Sequence, residues 1–114
     1  MFSGIVIRGD EIGKKIGYPT ANLDTPKRKI DLESGVYAVW VGLRRKKYQG
    51  ALAIQSSPWK VEVHLIDYKG GDFYGTYIEV EPIQKVSEMC RYNSQYELKE
   101  KIERDLEMIR GIFE

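Results

Sequence analysis

Gly35 to Leu43 reads GVYAVWVGL, a run of β-branched and aromatic residues with no helical period. That composition predicts a β-strand. Arg44-Arg45-Lys46-Lys47 interrupts it, and a second apolar stretch follows from Tyr48 to Ile54. Two β-type runs joined by a short polar break predict a hairpin with the basic tetrad at its tip. A short charge run of this kind is read first as solvated and second as a phosphate contact.

Moving outward, Val61 to Tyr68 alternates as a half-buried strand does. Val61, Val63 and Leu65 share one face, and Lys60, Glu62 and His64 share the other. Gly70-Gly71-Asp72 predicts a turn before another strand, Phe73 to Val80, whose far end Pro82 is expected to limit. Ile5-Val6-Ile7 is a further short β run. Several short strands with brief breaks predict an antiparallel sheet or barrel.

After Asn93 the period changes. Ser94-Gln95-Tyr96-Glu97 has the spacing of a capping box. Leu98, Ile102, Leu106, Ile109 and Phe113 recur at steps of three and four, the stripe of an amphipathic helix. Glu97–Lys101 and Glu100–Arg104 are expected as i,i+4 pairs on its wet side. The apolar stripe needs a partner, and the open face or mouth of the β unit is the expected one. The fold class is therefore α+β, or a β-barrel with one covering helix, in a single domain over residues 1–114.

The chain carries 18 basic and 17 acidic side chains, a net charge of +1. That balance disfavours a non-specific nucleic-acid binder, so no nucleic-acid partner is expected. One cysteine, Cys90, excludes an internal disulfide, and with one histidine, His64, a His/Cys zinc site is not expected. The N-terminus lacks the pattern of a signal peptide, and no apolar run approaches the ~20 residues of a membrane span. The expectation is an intracellular, cytoplasmic protein with no membrane partner.

The most unusual stretch is Gly9 to Leu23, GDEIGKKIGYPTANL. Gly9, Gly13 and Gly17 alternate with Lys14 and Lys15, a composition that suits either a phosphate-binding loop or a merely structural glycine-rich one. Pro19 fixes its own φ and pushes Tyr18 toward an extended conformation. In an extended segment Thr20 and Asn22 project to one face. Their hydroxyl and amide oxygens form either a small Mg²⁺–nucleotide cluster or a capped turn. On the residues alone, Glu62 is either a functional carboxylate or a solvent-facing one, His64 a hydrogen-bonding histidine, and Asp67 a turn cap.

GDEIGKKIGYPTANL resembles the signature of the riboflavin kinase (flavokinase) family, a glycine-rich loop leading into G[FY]PTAN. The likeness continues in Gly35-Val36-Tyr37-Ala38-Val39, in Tyr48-Gln49-Gly50-Ala51, in Val61-Glu62-Val63-His64-Leu65-Ile66-Asp67-Tyr68 and in Phe73-Tyr74-Gly75. It extends to Arg91, Tyr92, Ser94, Leu98, Ile102 and Asp105 near the C-terminus.

The resemblance implies a six-stranded antiparallel closed β-barrel with a C-terminal helix. It implies ATP- and Mg²⁺-dependent phosphorylation of the riboflavin 5′-hydroxyl to give FMN and ADP. It places Thr20 and Asn22 at the metal–phosphate site and makes Glu62 the base. Gly9, Gly13, Lys14, Gly17, Pro19 and Thr20 fall in the nucleotide-phosphate region. Met89 and Tyr92 are candidates for one wall of the flavin slot, against a plain core role. The rival reading is a non-catalytic flavin- or nucleotide-binding module of the same fold. Bacterial relatives carry this module behind an adenylyltransferase domain, which would be its partner if the chain is excised from a longer protein.

The sequence departs from the family pattern in three places. Ala53 to Trp59 replaces a longer segment that carries asparagine, arginine and threonine. Lys14 stands where arginine is usual, keeping the charge but losing the bidentate fork. Ser87 and Met89 stand where arginine and glutamate are usual.

Overall fold

The computed structural model describes residues 1–9 and 12–114. Six strands, β1 (Phe2–Ile7), β2 (Ala21–Asp24), β3 (Gly35–Leu43), β4 (Lys46–Ser56), β5 (Trp59–Leu65) and β6 (Tyr77–Ser87), close a barrel in the order β1-β2-β5-β4-β3-β6. Every neighbouring pair is antiparallel. Closure removes the free sheet edges that a small open sheet would expose. A short helical turn, α1 (Ile12–Lys15), lies between β1 and β2, and one long helix, α2 (Gln95–Phe113), ends the chain. Among the described residues no helix is long and apolar enough to cross a membrane.

Alternation along the strands fills the barrel. Val39, Val41, Leu52, Ile54, Val61, Val63, Ile78 and Val80 are almost fully buried in one interior cluster. The residues between them on β5, Lys60, Glu62 and His64, face outward, as the alternation predicts. β3 is buried on both faces, because its outward Val36 and Ala38 lie under α2. Ala38 pairs with Ala51 across β3 and β4, and these short side chains leave room for the helix to seat. Leu106 and Ile109 supply the helix's buried contacts, while Ile102 and Phe113 are partly buried beside them. Phe113 also meets Trp40 edge to face, with ring centroids 4.8 Å apart. The helix therefore covers the outer wall of the barrel and not its mouth. It does so because the mouth-facing positions of β3 and β4 are already spent on the interior cluster.

Ser94 caps α2 as its spacing predicts, accepting from the Glu97 amide at 3.2 Å. Glu97 reaches back to the Asn93 amide at 2.8 Å. It does not reach Lys101 as expected: Lys101 turns to Asp105 at 2.7 Å and to Ser87 at 3.0 Å. The polar pair at 101 and 105 is drawn inward because Asp105 sits within the apolar stripe.

Three further boundaries differ from the sequence expectation. Only Arg44 and Arg45 form the β3–β4 tip, with φ of 50° and 69°, and Lys46 and Lys47 already pair with Leu43 and Gly42. Two consecutive left-handed residues are what a two-residue hairpin turn needs to match the strand twist. β5 ends at Leu65, since Asp67 takes φ 60° in the turn that follows. β6 starts at Tyr77, later than Phe73, and runs past Pro82 to Ser87. Pro82 is tolerated because the β3–β6 ladder shifts register between Ala38 and Val39, where their partners are Gln84 and Pro82. The bulge spares the hydrogen bond that proline cannot donate.

Candidate functional site

β2 and β5 bring the sequence-predicted carboxylate and oxygen ligands together. Asn22 stands opposite Glu62 in the β2–β5 register. Ala21 and Leu23 point into the interior cluster, so Thr20 and Asn22 take the outer face with Glu62. Thr20 Oγ1 donates to Glu62 Oε2 at 3.4 Å, a loose hydrogen bond. The other carboxylate oxygen, Oε1, meets Lys60 Nζ at 2.7 Å. Glu62 is thus held from both sides, by the hydroxyl of the residue just before β2 and an ammonium two residues away on its own strand.

Asn22 is buried, at 8% exposure, and Gly9 lies directly over it. A Cβ at Gly9 would come within 2.0 Å of Asn22 Nδ2, so only glycine permits this approach. Gly17 has φ 92°, the left-handed region that favours glycine, and its amide donates to Lys14 O at 3.3 Å to close the turn after α1. Gly13 falls within α1, and Asp10 and Glu11 of the expected loop lie outside the described residues. Lys14 is exposed, its ammonium 3.8 Å from Asp72. Gly17, Pro19 and Thr20 line a shallow pocket with His64, Asp67, Asp72 and Tyr74.

His64 anchors that segment. Its Nδ1–H donates to Pro19 O at 2.8 Å, which fixes the backbone immediately before Thr20. The His64 ring also meets the Tyr18 ring edge on, at 5.9 Å. Tyr18 in turn donates to Glu103 Oε2 of α2 at 2.8 Å. That hydrogen bond, with some burial and the negative charge of Glu103, pushes the Tyr18 phenol above its usual pKa. Asp67, expected as a turn cap, instead accepts from Arg110 of α2 on both of its oxygens, at 3.2 and 3.4 Å. The same guanidinium holds the Asp67 carboxyl below the usual range.

A cleft of about 170 Å³ opens between the outer wall of β4 and β5, the first half of α2 and the chain before it. Thr20 and Glu62 line one side. Met89 and Tyr92 also line the cleft. Between them the surface is mainly apolar, with Val36, Ala51, Ala53, Leu98, Ile102 and Leu106. The form is that of small-molecule sites, mostly apolar with a few placed polar groups.

The shortened 53–59 segment is a tight hairpin. Gln55 pairs with Lys60 and Ser56 with Trp59, leaving Ser57 and Pro58 as the tip. Trp59 Nε1 donates to Thr25 O at 2.7 Å, pinning the tip to the end of β2. Gln55 and Lys60 consequently face the cleft, where sequence reasoning expected only a loss of polar groups. Sequence reasoning also missed Lys101 and Asp105 as cleft residues. The readable signal was Asp105 itself, a lone carboxylate between Ile102 and Ile109 on the apolar stripe.

The chain is similar to known proteins along nearly its whole length. The family described as Flavokinase, riboflavin kinase, matches residues 1–113. A bifunctional riboflavin kinase/FMN adenylyltransferase of Buchnera aphidicola is 37% identical over 97% of this chain and 38% of its own length. The chain thus spans little more than a third of that relative. Among solved structures, one described as a macrolide-efflux protein from Streptococcus pneumoniae superposes with a TM-score of 0.85 at 30% identity, over 95% of this chain and 37% of that one. Riboflavin kinase from Trypanosoma brucei superposes with a TM-score of 0.74 at 22% identity, over 96% of this chain and 74% of its own, and shows the same fold. The chain, a closed six-stranded barrel with the Asn22 of PTAN on one strand opposite the Glu62 of VEVH on its neighbour, is matched along residues 1–113 and belongs to the riboflavin kinase family.

Proposed function

We propose that this chain transfers the γ-phosphoryl group of ATP to the 5′-hydroxyl of riboflavin, giving FMN and ADP. The observation that carries the reading is the convergence of Thr20, Asn22 and Glu62 on one outer face, with Thr20 Oγ1 3.4 Å from Glu62 Oε2, beside a mainly apolar cleft.

Glu62 is the base. Its carboxylate accepts the 5′-hydroxyl proton as that oxygen attacks the γ-phosphorus and the bond to the β-bridging oxygen breaks. Lys60 and Thr20 keep the carboxylate oriented. Phosphoryl transfer asks the protein mainly for positioning and charge neutralisation, so one oriented base with a phosphate cradle is a sufficient set. Gly9, Gly13, Lys14, Gly17, Pro19 and Thr20 supply that cradle. His64 sets the Pro19 carbonyl and with it the path of the cradle into β2. Met89 and Tyr92 close over the flavin ring from the α2 side.

The donor set fits a magnesium ion. Among the described residues no cluster of three acidic, histidine or cysteine side chains could hold a metal. Mg²⁺ nevertheless needs few protein ligands when substrate phosphates and water complete its shell. Thr20 and Asn22, with their neutral oxygens beside the Glu62 carboxylate, would hold it. When bound, the ion neutralises charge on the transferring phosphoryl group.

Incubation with riboflavin, ATP and Mg²⁺, followed by chromatography, tests the reading. FMN should form in proportion to protein and time. Tight riboflavin binding without FMN would favour the non-catalytic binder.

A further inference from the structure

The basic tetrad at the β3–β4 tip plays no part in the chemistry above. Arg44, Arg45, Lys46 and Lys47 are all exposed. Among the described residues none of them is in an ion pair, and Arg44 makes a loose hydrogen bond to Thr76 Oγ1 at 3.4 Å. Net charge alone argues against a nucleic-acid partner, yet four of the 18 basic side chains stand together here.

The backbone singles out the two arginines. Both take positive φ, 50° and 69°. A Cβ is disfavoured there, and Asn-Gly is the pair that such a two-residue turn prefers. Hairpin stability alone would select that pair. The chain instead holds two adjacent guanidinium groups at the tip, which is a reason to look for a partner of opposite charge.

Beside the tip lies an open groove of about 410 Å³ that shares no residue with the cleft. Gly42 lines it and leaves its backbone open, since a Cβ there would meet nothing nearer than Glu79 Cβ at 3.8 Å. Trp40 and Tyr77 line it with the tetrad. Tyr77 is 55% exposed, and Lys47 Nζ lies 5.5 Å from the centroid of the Trp40 ring. Cations beside exposed aromatic rings are the parts of a single-strand nucleic-acid surface, in which charges follow the phosphates and rings stack the bases. Glu79 and Glu81 complete the groove. Carboxylates repel phosphates, but they accept from the exocyclic amines of bases and from the 2′-hydroxyls that only RNA carries. An anionic membrane would meet the same cations and would have to desolvate those two carboxylates.

We propose that the β3–β4 tip and the groove beside it bind single-stranded RNA, with Arg44, Arg45, Lys46 and Lys47 on the phosphates and Trp40 and Tyr77 against the bases. This second function is independent of the phosphoryl-transfer reading.

The test titrates the full chain with a labelled oligouridylate of about 12 nucleotides, followed by anisotropy and by tryptophan fluorescence. Binding should appear at about 50 mM salt and quench Trp40. Trp59, the other tryptophan, sits at the opposite end of β4, pinned to Thr25, and should not respond. A single strand gives about −0.7 in the log–log salt slope per phosphate neutralised, so four cations predict a slope of about −3. Arg44→Asn/Arg45→Gly supplies the pair the turn prefers, so it should melt no lower than wild type and form FMN at the wild-type rate. Its slope should fall to about −1.5 and its binding weaken by about 10-fold or more. Trp40→Leu keeps an apolar contact with Phe113 and should weaken binding by about 5-fold or more through lost stacking. No binding by the wild-type chain at about 50 mM salt would overturn the proposal, as would a folded double variant that keeps the wild-type slope. Binding of oligothymidylate or poly-L-glutamate as tight as that of the RNA would also overturn it, since the first lacks the 2′-hydroxyl and the second has no base. Each of these outcomes is read without the kinase reaction, so failure here leaves the kinase reading standing.

Discussion

Asn22 lies directly across the β2–β5 pair from Glu62, and Gly9 presses on the Asn22 amide from above. The position of one glycine just past the end of β1 thus bears on the oxygen cluster beside Glu62. Gly9→Ala would put a Cβ within 2.0 Å of the buried Asn22 side chain. Either that amide or the backbone after β1 must move. The expected outcome is a loss of about 1–3 kcal/mol in stability, as for other overpacked sites, with a raised KM for Mg²⁺–ATP. Thermal melts and steady-state kinetics on the purified variant check both halves.

Ile109 is fully buried where α2 seats on the barrel wall. Ile109→Ala leaves a cavity there and should cost about 2–5 kcal/mol. Because α2 also forms one wall of the cleft, riboflavin affinity should fall along with stability. Denaturant titration and flavin fluorescence quenching, done on the same preparation, would reveal whether the two losses go together.

Arg110 and Asp67 tie the second half of α2 to the turn after β5. The guanidinium lowers the Asp67 pKa, so the folded state binds that proton less tightly than the unfolded one. Stability from this contact is therefore present above the ordinary aspartate pKa of about 3.9 and is lost as pH falls through the lowered folded value. Both side chains are well exposed, at 51% and 75%, so the effect is small and salt-sensitive. Arg110→Ala should melt slightly below wild type near neutral pH. The gap should close in acid and in high salt, and a gap that widens in acid would show that another group carries it.

The strands were legible because the barrel's interior uses strict alternation, as in Val61, Val63 and Leu65 against Lys60, Glu62 and His64. Ser94 and Glu97 announced the start of α2 by spacing alone. Pro82 misled because a proline in a strand reads as a stop, and the bulge that accommodates it depends on the neighbouring strand. Glu62, Thr20 and Asn22 were legible as residues through the family signature. Their convergence was not, since it follows from the pairing of β2 with β5, strands far apart in sequence. Lys101 and Asp105 were hidden by the choice of i,i+4 partner: Glu97 and Asp105 are equally spaced from Lys101, and only packing against β3 and β4 decides between them.

The central claim is that Glu62 takes the proton of the attacking hydroxyl. Its test is the kcat of Glu62→Gln set beside its melting curve. The glutamine keeps the shape and can still accept from Thr20, but it cannot take a proton at working pH. A general base contributes about 10²–10⁴-fold in rate, and kcat should fall by that factor. The Lys60 contact is partly exposed, so its loss should cost no more than about 1 kcal/mol. A variant that melts as wild type does and turns over about 10²–10⁴-fold more slowly is the predicted result. One that melts as wild type does and keeps near-wild-type kcat would contradict the account.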